Sequence, residues 1–214
     1  MSLIVARSAS AGGSTSPGGN LVLVAENPVT PGLPAAIGAN SIVLGELAET
    51  SASAPNSLAI GKHSLARHPG AVVTANGRFQ SSGDAQTGKY LLRTHTVNNA
   101  QTEAFLDGTS GTQRLVLPDD CTWSFKLTAT AHRTDAGDGH AGYIIHGVIY
   151  RGAGVSSISF QGTPTRQVLA ESDSDWDINI EADHTYGSLS VLVSGETGKT
   201  IRWLIQIETV EVTN

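Results

Sequence analysis

Acidic residues, histidines and a tyrosine concentrate in two short polar turns of the second half of the sequence. They are Asp135, Asp138, His140, Asp183, His184 and Tyr186. Carboxylates and imidazoles hydrogen-bond to hydroxyl groups, and a tyrosine ring offers an apolar face with a polar tip. Because turns vary without disturbing a fold, they are favoured places for recognition. We therefore predict that these six residues contact a ligand, with a sugar as the best chemical match.

The same acids raise the question of catalysis. A pair of carboxylates can hydrolyse a glycosidic bond, and Asp135 with Asp138, or Glu171 with Asp173, would be the candidate pairs. Acids in a glycine-rich turn are, however, also the ordinary composition of a turn. The sequence has no G-x-S-x-G nucleophile motif and no glycine-rich loop opening a helix. We expect no catalytic residues and predict that the protein is not an enzyme.

Metal binding has two candidate sites. The acidic run 173–177 can supply oxygen ligands to calcium, but the EF-hand pattern needs Gly and Glu where this chain has Ile178 and His184. Three histidines surround one predicted hairpin, with the first two facing each other across its turn: His132, His140 and His146. Isolated histidines on strands are usually hydrogen-bonded or exposed rather than bound to zinc. We therefore predict no metal and no cofactor.

The elements that carry these turns are predicted to be β-strands. Trp123, Phe125 and Leu127 alternate with polar residues, and the same period of two recurs around Trp176 and Trp203. Glycine-rich turns separate nine or ten such stretches after residue 88, with no helical stretch among them. This pattern predicts an antiparallel, jelly-roll-like β-sandwich over residues 89–214.

An internal repeat precedes that region. Residues 40–45 recur almost unchanged at 56–61, and echoes seven residues apart indicate a 14-residue unit with two residues inserted near Thr50–Ala54. The repeat residues are Gly38, Ser41, Val43, Gly45, Ser57, Ala59, Gly61 and Ser64. A fixed period with glycine at the corners is typical of a β-solenoid, which usually needs about three repeats. Only about two are apparent, over residues 35–73, so we expect a second copy of the chain to complete the fold.

The Asn-Ser-x-x-x-Gly pattern resembles the head repeats of trimeric autotransporter adhesins, whose narrow β-rolls interlock around a threefold axis. The resemblance implies a homotrimer with the repeat residues in its neck. The single Cys121 provides no internal disulfide, and the N-terminus lacks the features of a signal peptide. Synthesis in a reducing cytoplasm is therefore expected, which argues against an exported adhesin.

Composition divides the chain and excludes two classes of partner. All aromatic residues lie at or after Phe79, which separates a first third without a globular core from the remainder. The 13 Lys and Arg residues are scattered in a chain of net charge −6, and no apolar run reaches the ~20 residues of a membrane span. We expect no nucleic-acid binding and no membrane insertion. The predicted segments are an anchoring peptide and linker (1–34), a β-roll (35–78), a linker (79–88) and a sandwich head (89–214).

Several segments of the second half resemble the C-terminal domain of tailed-phage fibre and spike proteins. They are Leu117–Asp119, Thr122–Phe125, Arg133–Asp135, Leu169–Asp177 and Gly195–Val212. The resemblance implies a trimeric virion protein, made in the host cytoplasm, whose N-terminal segment docks on other virion proteins. Its head turns would attach to a host surface glycan or protein, with three weak sites adding avidity.

Two other functions remain open from the sequence. A fibre of this length can instead decorate the capsid in a purely structural role. A glycan depolymerase is a third reading, which we disfavour because depolymerase spikes generally carry long β-helices and this chain has no room for one.

Overall fold

The computed structural model describes residues 4–5, 21–24 and 34–214. The chain divides into two compact units, one of Met1–Lys89 with Val210–Asn214 and the other of Tyr90–Thr209. Apart from the single 3₁₀ turn Val155–Ser157, all regular structure in the described ranges is β-strand, which confirms the predicted all-β class. No helix in these ranges is long and apolar enough to cross a membrane.

Unit 1 contains a β-solenoid of about three coils. Its strands are β1 (Ile4–Val5), β2 (Leu21–Val24), β3 (Ala35–Ala36), β4 (Ile42–Leu44), β5 (Glu49–Thr50), β6 (Leu58–Lys62), β7 (Leu65–Ala66) and β8 (Val72–Asn76). Strands β2, β4, β6 and β8 form one parallel ladder, and β3, β5 and β7 form another. The spacing of the sequence motif indicated about two repeats, so the fold has one coil more than the motif revealed.

The strand register explains why the third coil was missed. Leu58 pairs with Val72 and Gly61 with Ala75, so alanine stands where the first two coils have the glycine of the motif. Thr50 pairs with Ala66 sixteen residues on, whereas Ala36 pairs with Thr50 after only fourteen. The two inserted residues therefore follow Thr50, where the spacing had placed them.

Small side chains fill the interior of the coils. Val43, Ala59 and Val73 lie one above the other and are fully buried. The buried hydroxyl groups of Ser41 and Ser57 lie 3.1 Å apart, and both donate to the carbonyl oxygen of Ala54. This shared acceptor satisfies two polar groups that would otherwise destabilise the interior.

Glycine is required where neighbouring coils approach most closely. Gly45 and Gly61 have φ angles of 130° and 91°, which disfavour any residue with a side chain. A Cβ atom on Gly45 would lie 2.6 Å from the carbonyl oxygen of Gly61, and one on Gly61 would overlap the carbonyl oxygen of Ala75. The recurring glycine therefore sets the coil-to-coil contact.

A fixed turn follows the solenoid. The carboxylate of Asp84, only 3% exposed, accepts hydrogen bonds from the backbone N–H groups of Phe79, Gln80 and Ser81 at 2.9, 2.6 and 2.7 Å. Burial raises the pKa of Asp84, but these hydrogen bonds outweigh burial and hold the pKa below its ordinary value. Strand β9 begins directly afterwards at Ala85, so the predicted linker 79–88 consists of a capped turn and the start of a strand.

Unit 2 contains two sheets. Its strands are β9 (Ala85–Thr96), β10 (Thr102–Ala104), β11 (Cys121–Arg133), β12 (His140–Arg151), β13 (Ile158–Phe160), β14 (Thr165–Glu171), β15 (Asp177–Asp183), β16 (Ser188–Ser194) and β17 (Ile201–Thr213), of which β9 and β17 also have residues in unit 1. The larger sheet has the order β9-β17-β11-β12, with β13 and β14 both beside β12, and the smaller has the order β10-β16-β15. Strands β11 to β14 pair antiparallel, as do the three strands of the smaller sheet.

Aromatic residues form the core of unit 2. Trp123, Trp176 and Trp203 are each 1% exposed, which confirms the strand phase read from the alternation. Tyr143 stacks on Trp203 with a centroid distance of 6.1 Å, and its hydroxyl donates to the carbonyl oxygen of Trp176 at 2.9 Å. Burial raises the pKa of Tyr143 well above its ordinary value, as expected for a phenol that acts as a donor in the core.

Candidate functional site

Strand β12 separates the six predicted contact residues into two clusters. It starts at His140, which pairs with His132 across the 134–139 turn as predicted, and it ends at Arg151. Twelve residues of strand span about 36 Å. The two turns therefore lie at opposite ends of unit 2, too far apart to contact one sugar ring together.

Strand β15 places the second turn at the far end. It begins beside Gly139, where a Cβ atom would lie 2.9 Å from the Trp176 ring. It ends at Asp183, and a Cβ atom on the nearby Gly187 would lie 2.9 Å from the Arg151 guanidinium. We call the group around Asp183, His184 and Tyr186 the Tyr186 cluster, and the group around the 134–139 turn the Asp135 cluster.

The Tyr186 ring is stacked against an arginine. The guanidinium carbon of Arg114 lies 3.9 Å from the centre of the Tyr186 ring and 5.0 Å from that of Phe105. The Tyr186 residue nevertheless remains 49% exposed. One face of the tyrosine is therefore held by a cation–π contact, and the rest of the side chain is available to a ligand.

Arg114 is itself held in place. Its Nε and Nη2 atoms donate to the two carboxylate oxygens of Glu103 at 3.1 and 2.8 Å, and Asp183 lies 3.9 Å from Nε. Ser190 donates to Glu103 as well, at 2.9 Å. A bidentate pair of this kind fixes the plane of the guanidinium, which in turn fixes the plane of the Tyr186 ring.

The other two residues of this turn have structural partners. Asp183 accepts hydrogen bonds from the backbone N–H groups of Thr185 and Tyr186, at 2.8 and 3.3 Å. The Nδ1 atom of His184 lies 2.9 Å from the carbonyl oxygen of Ser156. Asp183 and His184 therefore shape the turn, and Tyr186 is the residue that the turn presents.

In the Asp135 cluster one carboxylate holds the turn and two polar side chains are exposed. Asp135 accepts hydrogen bonds from Arg133 and from the backbone N–H of Thr200, and the Arg133 guanidinium holds the pKa of this carboxyl below its ordinary range. Asp138 and His140 are both exposed. Asp135 thus anchors the turn, while Asp138 and His140 project their polar groups into solvent.

The predicted repeat residues lie at two kinds of position in the coils. Six of the eight are buried within their own chain, namely Gly38, Ser41, Val43, Ser57, Ala59 and Ser64. The other two, Gly45 and Gly61, lie where consecutive coils meet. These residues stabilise the coil itself, and the side chains that the coil presents outward are those between them.

The acidic run and the histidines do not converge. Asp173 accepts a hydrogen bond from the backbone N–H of Asp175 at 2.9 Å, and Asp177 forms an ion pair with Arg166. Within the ranges that the structure describes, no three His, Cys, Asp or Glu residues lie close enough to hold a metal ion.

Sequence reasoning missed Phe105, Glu103 and Arg114. They come from a segment with no regular alternation, and the contact with Tyr186 joins positions 72 residues apart, as the numbers 114 and 186 show. An arginine and a phenylalanine nine residues apart carry no local signal of a shared stack. Only the fold brings them to the same turn.

No protein-family model matches the chain, and no curated protein is significantly similar to it. Among solved structures, the chain is similar to tailspike gp49 of Acinetobacter baumannii bacteriophage Fri1, a capsular polysaccharide depolymerase, with 8% identity, a TM-score of 0.30, and coverage of 78% of this chain and 28% of the tailspike. The chain is also similar to the tailspike of Acinetobacter phage vB_ApiP_P1, with 10% identity, a TM-score of 0.28, and coverage of 85% of this chain and 38% of the tailspike. A third similar structure is the tailspike of Acinetobacter baumannii phage AM24, with 12% identity, a TM-score of 0.27, and coverage of 78% of this chain and 33% of the tailspike.

The chain spans about a third of the length of these tailspikes. One of them is a capsular polysaccharide depolymerase, and that finding overturns the prediction that this protein is not an enzyme. The prediction had rested on the absence of local catalytic motifs. Carboxylates that act together in a glycosidase are brought together by the fold and need not be close in sequence.

Proposed function

We propose that this protein is a trimeric fibre or spike of a tailed bacteriophage and attaches the particle to polysaccharide on the host surface. The observation that carries the proposal is the Tyr186 cluster, in which a half-exposed aromatic ring is held in a fixed plane by Arg114. The resemblance of the β-solenoid motif and of the second-half segments to adhesin heads and phage fibres supports the same reading.

The Tyr186 cluster suits a sugar because it combines apolar and polar groups. A pyranose ring has a face of C–H groups that packs on an aromatic ring, and its hydroxyl groups bond to polar atoms at the rim. Since Arg114 and Glu103 already hold the ring, binding costs little side-chain ordering. A single site of this size binds weakly, and three copies on one stem raise the avidity without new contacts.

The Asp135 cluster is a second proposed contact. Asp138 and His140 are exposed there and can hydrogen-bond to a polysaccharide. About 36 Å separates the two clusters, so they would bind different residues of a long glycan or different molecules. Substitutions in the two clusters should therefore act independently.

A trimer would cover an apolar face of the solenoid. Three coils reach the usual minimum for a solenoid, so the repeat count alone no longer requires a partner. An apolar ladder on the outer face of the parallel sheet supports assembly instead, because Ile42 and Val72 are each 37% exposed and both pair with Leu58. We take this ladder of adjacent apolar side chains as the surface that another copy of the chain would cover.

The remaining parts of the proposal concern organisation. The anchoring segment 1–34 lies outside the described residues except for β1, β2 and Pro34, and we propose that it docks on another virion protein. Residues 35–78 would form the neck, and residues 89–214 a sandwich-type head carrying both clusters. The protein would be made in the host cytoplasm and become part of the virion.

A polysaccharide array tests the attachment function. Labelled full-length protein is applied to purified capsular and lipopolysaccharide glycans from a panel of bacterial strains. We expect binding to at least one glycan, about a tenfold loss for Tyr186→Ala, and no loss for Tyr150→Ala, an exposed tyrosine outside the cluster. Equal binding by wild type and Tyr186→Ala would contradict the proposed site. The same array, assayed for released reducing ends, reports glycan cleavage.

A further inference from the structure

A groove of about 500 Å³ opens on unit 1, and all of its lining residues belong to that unit. Residues of β8, β9 and the end of β17 line it, together with Phe79 from the capped turn. The volume lies within the usual range of small-molecule sites, about 300–1,000 Å³. None of the residues of the Tyr186 and Asp135 clusters lines this groove.

Three of the residues that line the groove are apolar and exposed. Phe79, Val210 and Val212 are 74%, 59% and 49% exposed, which is high for residues of this type. Phe79 stands in the turn whose backbone Asp84 holds through three hydrogen bonds. The aromatic ring therefore projects from a fixed backbone, and an aromatic surface is presented to solvent at little ordering cost.

Three further lining residues, Thr74, Asn76 and Thr87, are polar but uncharged. The hydroxyl oxygens of Thr74 and Thr87 lie 2.7 Å apart, and the pair keeps unused donor and acceptor capacity. The Asn76 side chain adds an amide with two donors and one acceptor. Hydroxyl and amide groups beside an aromatic ring match a ligand that has an apolar face and hydroxyl groups along its rim.

The charges of the lining residues and of the whole chain favour an uncharged ligand. Among the described residues that line the groove, Glu211 is the only ionisable one; it is 2% exposed, and its carboxylate accepts a hydrogen bond from Gln86 at 2.8 Å. The chain as a whole carries a net charge of −6. The described lining offers no arginine or lysine to pair with an anionic ligand, and the net negative charge of the chain disfavours one.

We propose that this groove is a second carbohydrate site, which binds one neutral pyranose residue with its C–H face on Phe79 and its hydroxyl groups toward Thr74, Thr87 and Asn76. The site goes beyond the attachment function proposed for unit 2, because it involves different residues. A single hexose has about twelve heavy atoms, so a dissociation constant on the order of millimolar is expected.

Saturation-transfer NMR on the full-length protein tests the site. Glucose, galactose and N-acetylglucosamine are the three probes, each titrated against wild type, Phe79→Ala and Ile37→Ala. Ile37 is the matched control, since it is 51% exposed in the same unit and does not line the groove. We expect saturation transfer to at least one sugar, about tenfold weaker binding by Phe79→Ala, and no change for Ile37→Ala.

A further variant separates this proposal from the attachment function. Tyr186→Ala should leave the saturation transfer to the sugar intact. If the transfer is lost in Tyr186→Ala but kept in Phe79→Ala, all sugar binding belongs to unit 2, and the groove site is overturned. Absence of transfer to all three sugars would overturn it as well. A change in molar mass on Phe79→Ala substitution would show that another copy of the chain covers the groove, and this result also contradicts the proposal.

Discussion

Trp203 is the residue whose burial most directly ties the alternation in the sequence to the core of unit 2. Its ring contacts Tyr143 and Trp176 at centroid distances of 6.1 and 6.4 Å, and its Nε1 donates to Thr96 at 3.2 Å. Removing a large buried aromatic side chain costs about 3–5 kcal/mol, a large share of the stability of most domains. Trp203→Ala should therefore unfold unit 2 or lower its melting temperature by many degrees in differential scanning calorimetry.

The control for that experiment is the next residue in the chain. Leu204 points to the opposite face of β17 and is 54% exposed, so Leu204→Ala should change the melting temperature little. Equal melting of the Trp203→Ala variant and the wild type would contradict the observed phase of β17.

Asp84 predicts a specific dependence of stability on pH. Because its pKa in the folded state lies below the ordinary value of 3.8, the carboxylate stabilises the fold fully above that value. The contribution is lost as the pH falls through the lower folded-state pKa. Asp84→Asn should thus lower the melting temperature at neutral pH, and the difference from wild type should shrink below a pH of about 3.8.

Asp138→Asn provides the comparison for the pH series, because this carboxyl is exposed in a turn. We expect its melting temperature to follow that of the wild type throughout. A gap for Asp84→Asn that stays constant down to acidic pH would show that the three backbone hydrogen bonds do not depend on the charge of the carboxylate.

At the scale of elements, the solenoid depends on close contact between coils. Gly61 and Gly70 both have positive φ angles, at 91° and 66°, but only a Cβ atom on Gly61 would overlap the backbone of the next coil. Gly70→Ala should cost about 1–2 kcal/mol from backbone strain alone. Gly61→Ala should cost clearly more, because the coils must also move apart.

Urea unfolding followed by circular dichroism measures that difference. The Gly70→Ala variant is matched to Gly61→Ala in residue type, φ region and unit, so the comparison isolates the contact with Ala75. Equal losses of stability in the two variants would contradict the role assigned to the glycine in the repeat.

The sequence predicted the strands and their buried faces better than it predicted which side chains the fold brings into contact. A period of two was enough to orient Trp123 and Trp203, because a strand with one buried face repeats its pattern locally. The third coil was not recognised because Gly70 takes the positive-φ position that Asn56 has in the coil before, and Ala75 pairs with Gly61 without sharing its positive φ, so the motif is not repeated. The separation of the two clusters was not predictable, since it depends on the length of β12 and on where β15 ends. The Arg114–Tyr186 contact likewise depends on tertiary structure alone.

At the scale of the whole molecule, assembly is the principal expectation. The outward ladder through Ile42, Leu58 and Val72 would be covered in a homotrimer, and each trimer would present three copies of both clusters. In multi-angle light scattering the protein should have about three times the chain mass of 22.2 kDa. Replacing Leu58 with Asp on this ladder should shift the mass toward that of one chain, and a wild-type protein that is a folded monomer would contradict the trimer.

Attachment to cells tests the central claim most directly. Fluorescently labelled full-length protein is incubated with a panel of bacterial strains, each paired with a mutant that lacks its surface polysaccharide, and bound protein is measured by flow cytometry. The account predicts binding to at least one parent strain and loss of that binding from its polysaccharide-deficient partner. Binding that persists without the polysaccharide, or an absence of binding to every strain of the panel, would contradict attachment to a surface glycan.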